Sequence, residues 1–201
     1  MPKVPQKRQT TVLRRRQIIG VLRRLIFEHG SENVTVARIA GAIGVTQGAI
    51  YRHFKSKREI LAYLIDAIEE DLIKDWKEQP RDSSVLESLD HALRTTISAI
   101  QQRKGVSFLV VAEVMSLGDK MLNRRTYEVL ANYIAHIREI IEKGVQSGEL
   151  SEEVDPDTAA VTIFSAIQGF VTLWAMSNYR FSLEGRYPGL WRLLQKALVR
   201  K

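Results

Sequence analysis

The chain has 201 residues and no cysteine, with 45% hydrophobic and 26% charged residues, five prolines and a net charge of +7. That balance is the one of a folded, water-soluble protein, and the missing thiols exclude disulfides, thiolate catalysis and cysteine-held zinc. No uninterrupted apolar run reaches the roughly 18 residues of a membrane-crossing helix, and MPKVPQKRQTTVLRRR lacks a signal-peptide apolar core, so a cytoplasmic protein with no membrane partner is expected.

Charge is unevenly spread. Residues 1–58 carry thirteen Lys and Arg against Glu28 and Glu32, while the remainder is net negative. Such an end suits a polyanion, although charge alone favours a solubilising basic tail. Apolar residues recur at three- and four-residue spacing and no segment alternates, which predicts an all-α fold. After an arm containing Pro2 and Pro5, a first helix from about Thr11 to His29 carries the stripe Ile18, Val21, Leu22 and Leu25 and ends at Gly30. Arg15, Arg16, Arg23 and Arg24 are then left mainly to its flanks and outer face.

The next stretch, TVARIAGAIGVTQGAIYRHFKSKREIL (Thr35 to Leu61), is more specific. Thr35 suits an N-cap for a helix whose inward face is Val36, Ile39, Ala40 and Ile43. Gly44 supplies the left-handed turn, Thr46 caps the following helix to about His53, and Ala49 and Ile50 face inward. Two steeply crossing helices need a small residue at closest approach (Ala40), a turn residue tolerating positive φ (Gly44) and a branched plug (Ile50). The same spacing also serves an αα-hairpin in a bundle. Thr46, Gln47, Gly48, Tyr51 and Arg52 cluster on the second helix's start and outer side, with no acidic residue between Val34 and Arg58. Gln and Arg can read base edges, while hydroxyls, helix-start N–H groups and Lys favour phosphates. Ser56-Lys57-Arg58-Glu59 has the pattern of a capping box opening a fourth helix.

These residues resemble the DNA-binding domain of the TetR family of bacterial transcriptional regulators. The likeness runs through the Thr before the second helix, the Ala and Gly of the turn, Tyr-x-His-Phe, and Lys-Ser-Lys. It implies an N-terminal three-helix helix-turn-helix domain followed by a larger helical bundle for regulation and dimerisation, divided here as 1–58 and 59–201. By resemblance, Thr35, Thr46, Tyr51, His53 and Lys57 would contact phosphates, with Gln47, Gly48 and Arg52 nearest the bases and Phe54 a core plug. His53 fits a purely structural role as well, and Arg38 fits either DNA contact or solvation.

Beyond Glu59, Ile60, Leu61, Leu64, Ile65, Ile68 and Leu72 make an amphipathic stripe of a connecting helix, Ser56 to Gln79. Gln79 to Ser83 breaks it, and a helix from about Val85 to Arg103 follows. Glu113 is the only charge in VSFLVVAEVMSLG, hence either a helix-surface residue or a buried anchor in a cavity. A long helix is expected from about Arg125 to Gly148. Asp155-Pro156-Asp157 opens another, Thr158 to about Tyr179, apolar on nearly every side. A helix apolar all round must be covered all round, by the monomer's own bundle or by a second subunit. Tyr187 to Arg200 supplies a last amphipathic helix, and the resemblance implies dimerisation through the final two. The interface candidates are Phe164, Ile167, Phe170, Val171, Trp174, Leu190 and Leu194, with Gly169 allowing close approach.

The expected function is that of a ligand-responsive regulator, usually a repressor in this family, binding a palindromic operator as a homodimer and released by a small apolar or aromatic effector. Candidate cavity residues are Trp76, Phe108, Glu113, Met115, Tyr127, Tyr133, Phe164, Gln168 and Trp174, most of which fit plain core equally well. A DNA-binding dimer controlled by a protein partner is the alternative. No cofactor, metal or catalytic residue is expected: phosphate-cradling loops and nucleophile elbows are missing, and His29, His53, His91 and His136 are scattered. Asp155 and Asp157 are spaced like calcium ligands, but Pro156 opposes that role. Arg14 to Arg24 would suit a membrane surface, a reading that leaves the capped helix pair unexplained.

Overall fold

In the computed structural model, residues 6–29, 34–76 and 83–199 are described, with side chains described for 11–29, 34–73 and 83–199. Among the described residues there are nine helices and no strand: α1 Gln6–His29, α2 Val36–Ile43, α3 Gln47–Tyr51, α4 Lys57–Trp76, α5 Val85–Gln102, α6 Val106–Leu117, α7 Lys120–Ser147, α8 Pro156–Met176 and α9 Leu183–Leu198. The fold is all-α. Pro2, Pro5, Gly30 and the break at 79–82 lie outside the described residues.

Polar side chains set the helix starts, often earlier than apolar periodicity suggests. The Ser84 hydroxyl accepts from Glu87 N while the Glu87 carboxylate accepts from Ser84 N, a reciprocal cap for α5. Asp119 Oδ1 accepts from Met121 N and Leu122 N, so α7 begins at Lys120 and not near Arg125. Asp155 Oδ2 accepts from Thr158 N and caps α8, with Pro156 in its first turn. For α9, Gln101 Oε1 on α5 accepts from Leu183 N at 2.7 Å and Glu184 N at 3.3 Å, and the Ser182 hydroxyl accepts from Gly185 N. These bonds start α9 at Leu183, ahead of Tyr187, and leave Pro188 inside the helix, where it has no N–H to give the Glu184 carbonyl.

The chain divides into two compact units. One comprises the described residues up to Ala67 with Leu109–Thr126, the other Ile68–Phe108 and the chain from Tyr127 onward. The first unit buries Ile18, Leu22, Ile26, Ile39, Ile50, Phe54, Ile60 and Leu64 to 2% exposure or less. Each such side chain removed from water contributes about 1.5–3 kcal/mol.

In the second unit α9 packs against α5 and α8. The core includes Leu89, Leu93, Ile97, Ile137, Ile141, Ile163, Val171 and Tyr187. The Tyr187 hydroxyl donates to Asp90 Oδ1 at 2.7 Å, and burial with this carboxylate beside it pushes the phenol far above its ordinary range. By length and composition α8 could cross a membrane. Its stripe Ala160, Ile163, Ile167, Val171 and Trp174 nevertheless forms core, while Val161, Leu173 and Met176 on other faces stay exposed.

Candidate nucleic-acid interface

The helix pair α2–α3 is built from three local devices. Thr35 Oγ1 accepts from Arg38 N and Thr46 Oγ1 accepts from Ala49 N, one cap for each helix. Between them Gly44 sits at φ +77°, where L side chains are strained, and Val45 N donates back to the Ala40 carbonyl. Ile50 and Phe54, both 1% exposed, pin the underside of α3.

Pinning that side presents the other. Thr46, Gln47, Gly48, Tyr51 and Arg52 are all exposed, as is Thr35 at the start of α2. The two threonine oxygens accept the cap bonds, and each hydroxyl keeps its hydrogen to donate outward. The surface thus combines hydroxyl donors, a phenol, a guanidinium, a carboxamide and helix-start amides, with no carboxylate between Val34 and Arg58. Ser56 Oγ accepts from Glu59 N at the start of α4, and Glu59 Oε2 accepts from Lys55 N.

His53 is half-buried behind this surface, and its Nδ1 has no hydrogen-bond partner. Partial burial first, then the positive charges of Arg14, Arg15 and Arg52, hold its imidazole below the ordinary histidine pKa. A neutral imidazole held among cations can accept a proton when an anion arrives. Arg15, expected on the flanks or outer face of α1, is half-buried, with Nη2 donating to the His53 carbonyl at 2.8 Å. Lys57, expected on the phosphate track, has its Nζ 3.2 Å from Glu113 Oε1. Arg58 Nε similarly pairs with Asp119 Oδ2 at 3.0 Å.

The expected cavity residues do not come together. Met115 is 70% and Tyr127 72% exposed, so neither lines an interior space. Glu113 is buried in the first unit against Lys57, and the Trp76 side chain lies outside the described residues. In the second unit, Tyr133 donates to Thr96 Oγ1 and meets Phe164 edge to face, Trp174 meets Tyr179 edge to face, and Phe108 and Gln168 are half-buried. A cavity of about 90 Å³ does exist there, lined by Glu69, Leu72, Ile73, Val129, Asn132, Tyr133 and His136. Of the expected residues whose side chains are described, only Tyr133 lines it. Asn132 Nδ2 donates to Glu69 Oε1 at its rim. The signal missed in the sequence was Ile73, an apolar residue just beyond the α4 stripe.

The interface candidates also shift. Ile167, Val171, Trp174 and Leu190 are 7% exposed or less within the single chain, packed into its own core. Phe164, Phe170 and Leu194 are half-buried. Outward apolar surface belongs instead to Val161, Leu173, Met176 and Leu193. A Cβ added at Gly169 or Gly189 would meet nothing within 4 Å.

Residues 18–64 match the family described as bacterial regulatory proteins, tetR family, and residues 57–197 match the C-terminal region of YsiA-like protein. The fatty acid metabolism regulator protein of Bacillus subtilis is 27% identical over 186 residues, spanning 92% of this chain and 95% of its own length. The nucleoid occlusion factor SlmA of Shewanella woodyi is 22% identical over 188 residues, with 92% and 95% covered. Among solved structures, the fatty acid degradation regulator FadR from Bacillus halodurans shares the fold with a TM-score of 0.83 over 100% of both chains, at 24% identity. The transcriptional regulator FadR from Bacillus subtilis, solved in complex with stearoyl-CoA, gives a TM-score of 0.75 at 28% identity over 89% of this chain and 96% of that one. With matches that together run from residue 18 to residue 197, the chain belongs to the tetR family of bacterial regulatory proteins.

Proposed function

We propose that this regulator is a cytoplasmic repressor that binds a palindromic operator as a homodimer and leaves it when a small apolar effector binds the second unit. The observation that carries the DNA half is the exposed Thr46–Arg52 surface held over buried Ile50 and Phe54. Gln47, Gly48 and Arg52 are proposed to approach base edges, with Thr35, Thr46, Tyr51 and His53 on phosphates. One such short helix reads few bases, and a two-fold dimer doubles the site with a fixed half-site spacing.

For the effector, the supporting feature is the cavity at Leu72, Ile73, Val129 and Tyr133, apolar walls with a polar rim at Glu69, Asn132 and His136. The stearoyl-CoA bound by the FadR relative makes long-chain acyl thioesters the first compounds to test. An effector acts by its differential affinity for the operator-competent and incompetent dimers, and α4, which runs on from the first unit into the second, is the proposed lever. The likeness to nucleoid occlusion factors supports a second reading, control by a protein partner.

The test is selection of genomic DNA fragments by the purified protein, with Tyr51→Ala alongside. An inverted repeat enriched by the wild type and lost in the variant is expected. Release of that fragment by acyl-CoA, and not by CoA alone, supports the effector. Equal enrichment by both proteins overturns the DNA surface.

A further inference from the structure

Arg15 is a cation in the basic N-terminal segment that does not face outward. Its Nη2 donates to the His53 carbonyl at 2.8 Å and to Glu59 Oε1 at 3.2 Å. Its guanidinium lies 4.9 Å from the centroid of the Phe54 ring and 5.5 Å from that of Tyr63. Glu59 is fixed in turn, since its other oxygen accepts from Lys55 N at 2.6 Å. One guanidinium therefore ties α1, the chain leaving α3 and the first turn of α4, all within the first unit.

The His53 carbonyl follows the last turn of a helix of only five residues. So short a helix has little stiffness of its own, and its angle depends on what holds its ends. Thr46 holds the start of α3 and Ile50 its underside. The far end is held by Arg15, and the planar guanidinium is suited to this because it presents several donors in a fixed fork while stacking on aromatic faces.

We infer that Arg15, aimed by Glu59, is a positioning residue for DNA binding: it sets the pose of α3 and does not itself touch DNA. The inference rests on the DNA-binding reading. It makes a prediction whose sign separates it from simple charge. Removing the Glu59 carboxylate takes a negative charge away from a DNA-facing unit, which on electrostatics alone tightens binding. If Glu59 serves to aim Arg15, the same change weakens binding.

The experiment uses the full chain and the duplex that the wild type selects most strongly from random-sequence DNA, with affinities measured across a salt series and melting temperatures recorded for every variant. Arg15→Met and Glu59→Gln are each expected to bind about tenfold more weakly. Both should keep the wild-type dependence of log affinity on log salt, and the double variant should bind no more weakly than Arg15→Met. A fall in that slope of about 0.9 in Arg15→Met makes Arg15 a phosphate contact and overturns the inference. So does tighter binding by Glu59→Gln, or lower melting temperatures with unchanged affinity. Should Arg15→Met not fold, Arg15→Lys decides: it keeps the charge but not the fork, and wild-type affinity in it overturns the inference. If the wild type selects no duplex, the DNA-binding reading itself fails.

Discussion

Lys57 Nζ lies 3.2 Å from Glu113 Oε1 in an ion pair whose acidic side chain is 6% exposed and whose basic side chain is 40% exposed. The two ends are therefore unequal. Lys57→Met strands a buried carboxylate and is expected to cost about 1–3 kcal/mol, whereas Glu113→Gln leaves an ammonium that water can solvate and costs less. Urea denaturation of both variants checks the order.

The same pair bears on DNA. A lysine already neutralised by Glu113 displaces fewer counterions than a free one. A lysine free to neutralise one phosphate contributes about 0.9 to the salt slope of operator binding, and Lys57→Ala is expected to lower that slope by less than half of this. A full decrement would show that Lys57 leaves Glu113 for a phosphate.

His53 gives a pH signature. Its folded pKa lies below the ordinary 6.5, so in the free protein the imidazole stays neutral where an unfolded histidine already protonates. Its contribution to stability is present above pH 6.5 and is lost as pH falls toward the folded pKa. A phosphate beside it raises that pKa, so DNA binding takes up a proton and operator affinity rises as pH drops below 6.5. His53→Gln should abolish the rise. A wild-type affinity flat across pH 5.5–7 would assign His53 a structural role.

Leu173 and Leu193 are 63% and 69% exposed. Leu173→Glu paired with Leu193→Glu should halve the mass seen by light scattering while shifting the chain's own stability by no more than about 1 kcal/mol. Ile167→Ala, a core change, should instead cost about 2–5 kcal/mol. A dimer that survives the glutamates places the contact on another face.

Gly144 of α7 faces Leu150 and Val85 so closely that an added Cβ would lie 2.6 Å from Leu150 Cγ and 2.8 Å from Val85 Cγ1. Gly144→Ala is expected to destabilise by about 1–3 kcal/mol despite alanine's better helix propensity. Thermal melts of the full chain check it.

What the sequence disclosed was local. Gly44, Ala40, Thr35 and Thr46 act on neighbours a few positions away, so their pattern could be read without a fold: Thr35 and Thr46 cap their helices, Gly44 makes the left-handed turn and Ala40 is buried, as expected. Partners distant in sequence left no such trace. Arg15 looked like one more solvated cation because its carbonyl and carboxylate lie 38 and 44 positions on. Glu113 announced itself as an oddity in an apolar helix but could not name Lys57, 56 positions away. In α8 apolar residues occur on every side, so periodicity had no phase to show that Ile167, Val171 and Trp174 line the chain's own core. Met115 and Tyr127 show the related error of taking large apolar side chains as cavity walls when they face solvent.

The cap that Gln101 provides for α9 has a consequence for how the protein is made. The amides it receives belong to residues 183 and 184, and Tyr187 reaches back to Asp90 across 97 positions. While the ribosome is still threading the chain, the side of α5 that packs against α9 therefore stays open, long after the first unit's residues up to Ala67 have emerged. Nascent chains stalled before Leu183 should be the species that chaperones hold and proteases clear, and a regulator able to grip DNA should appear only when the last helix is released.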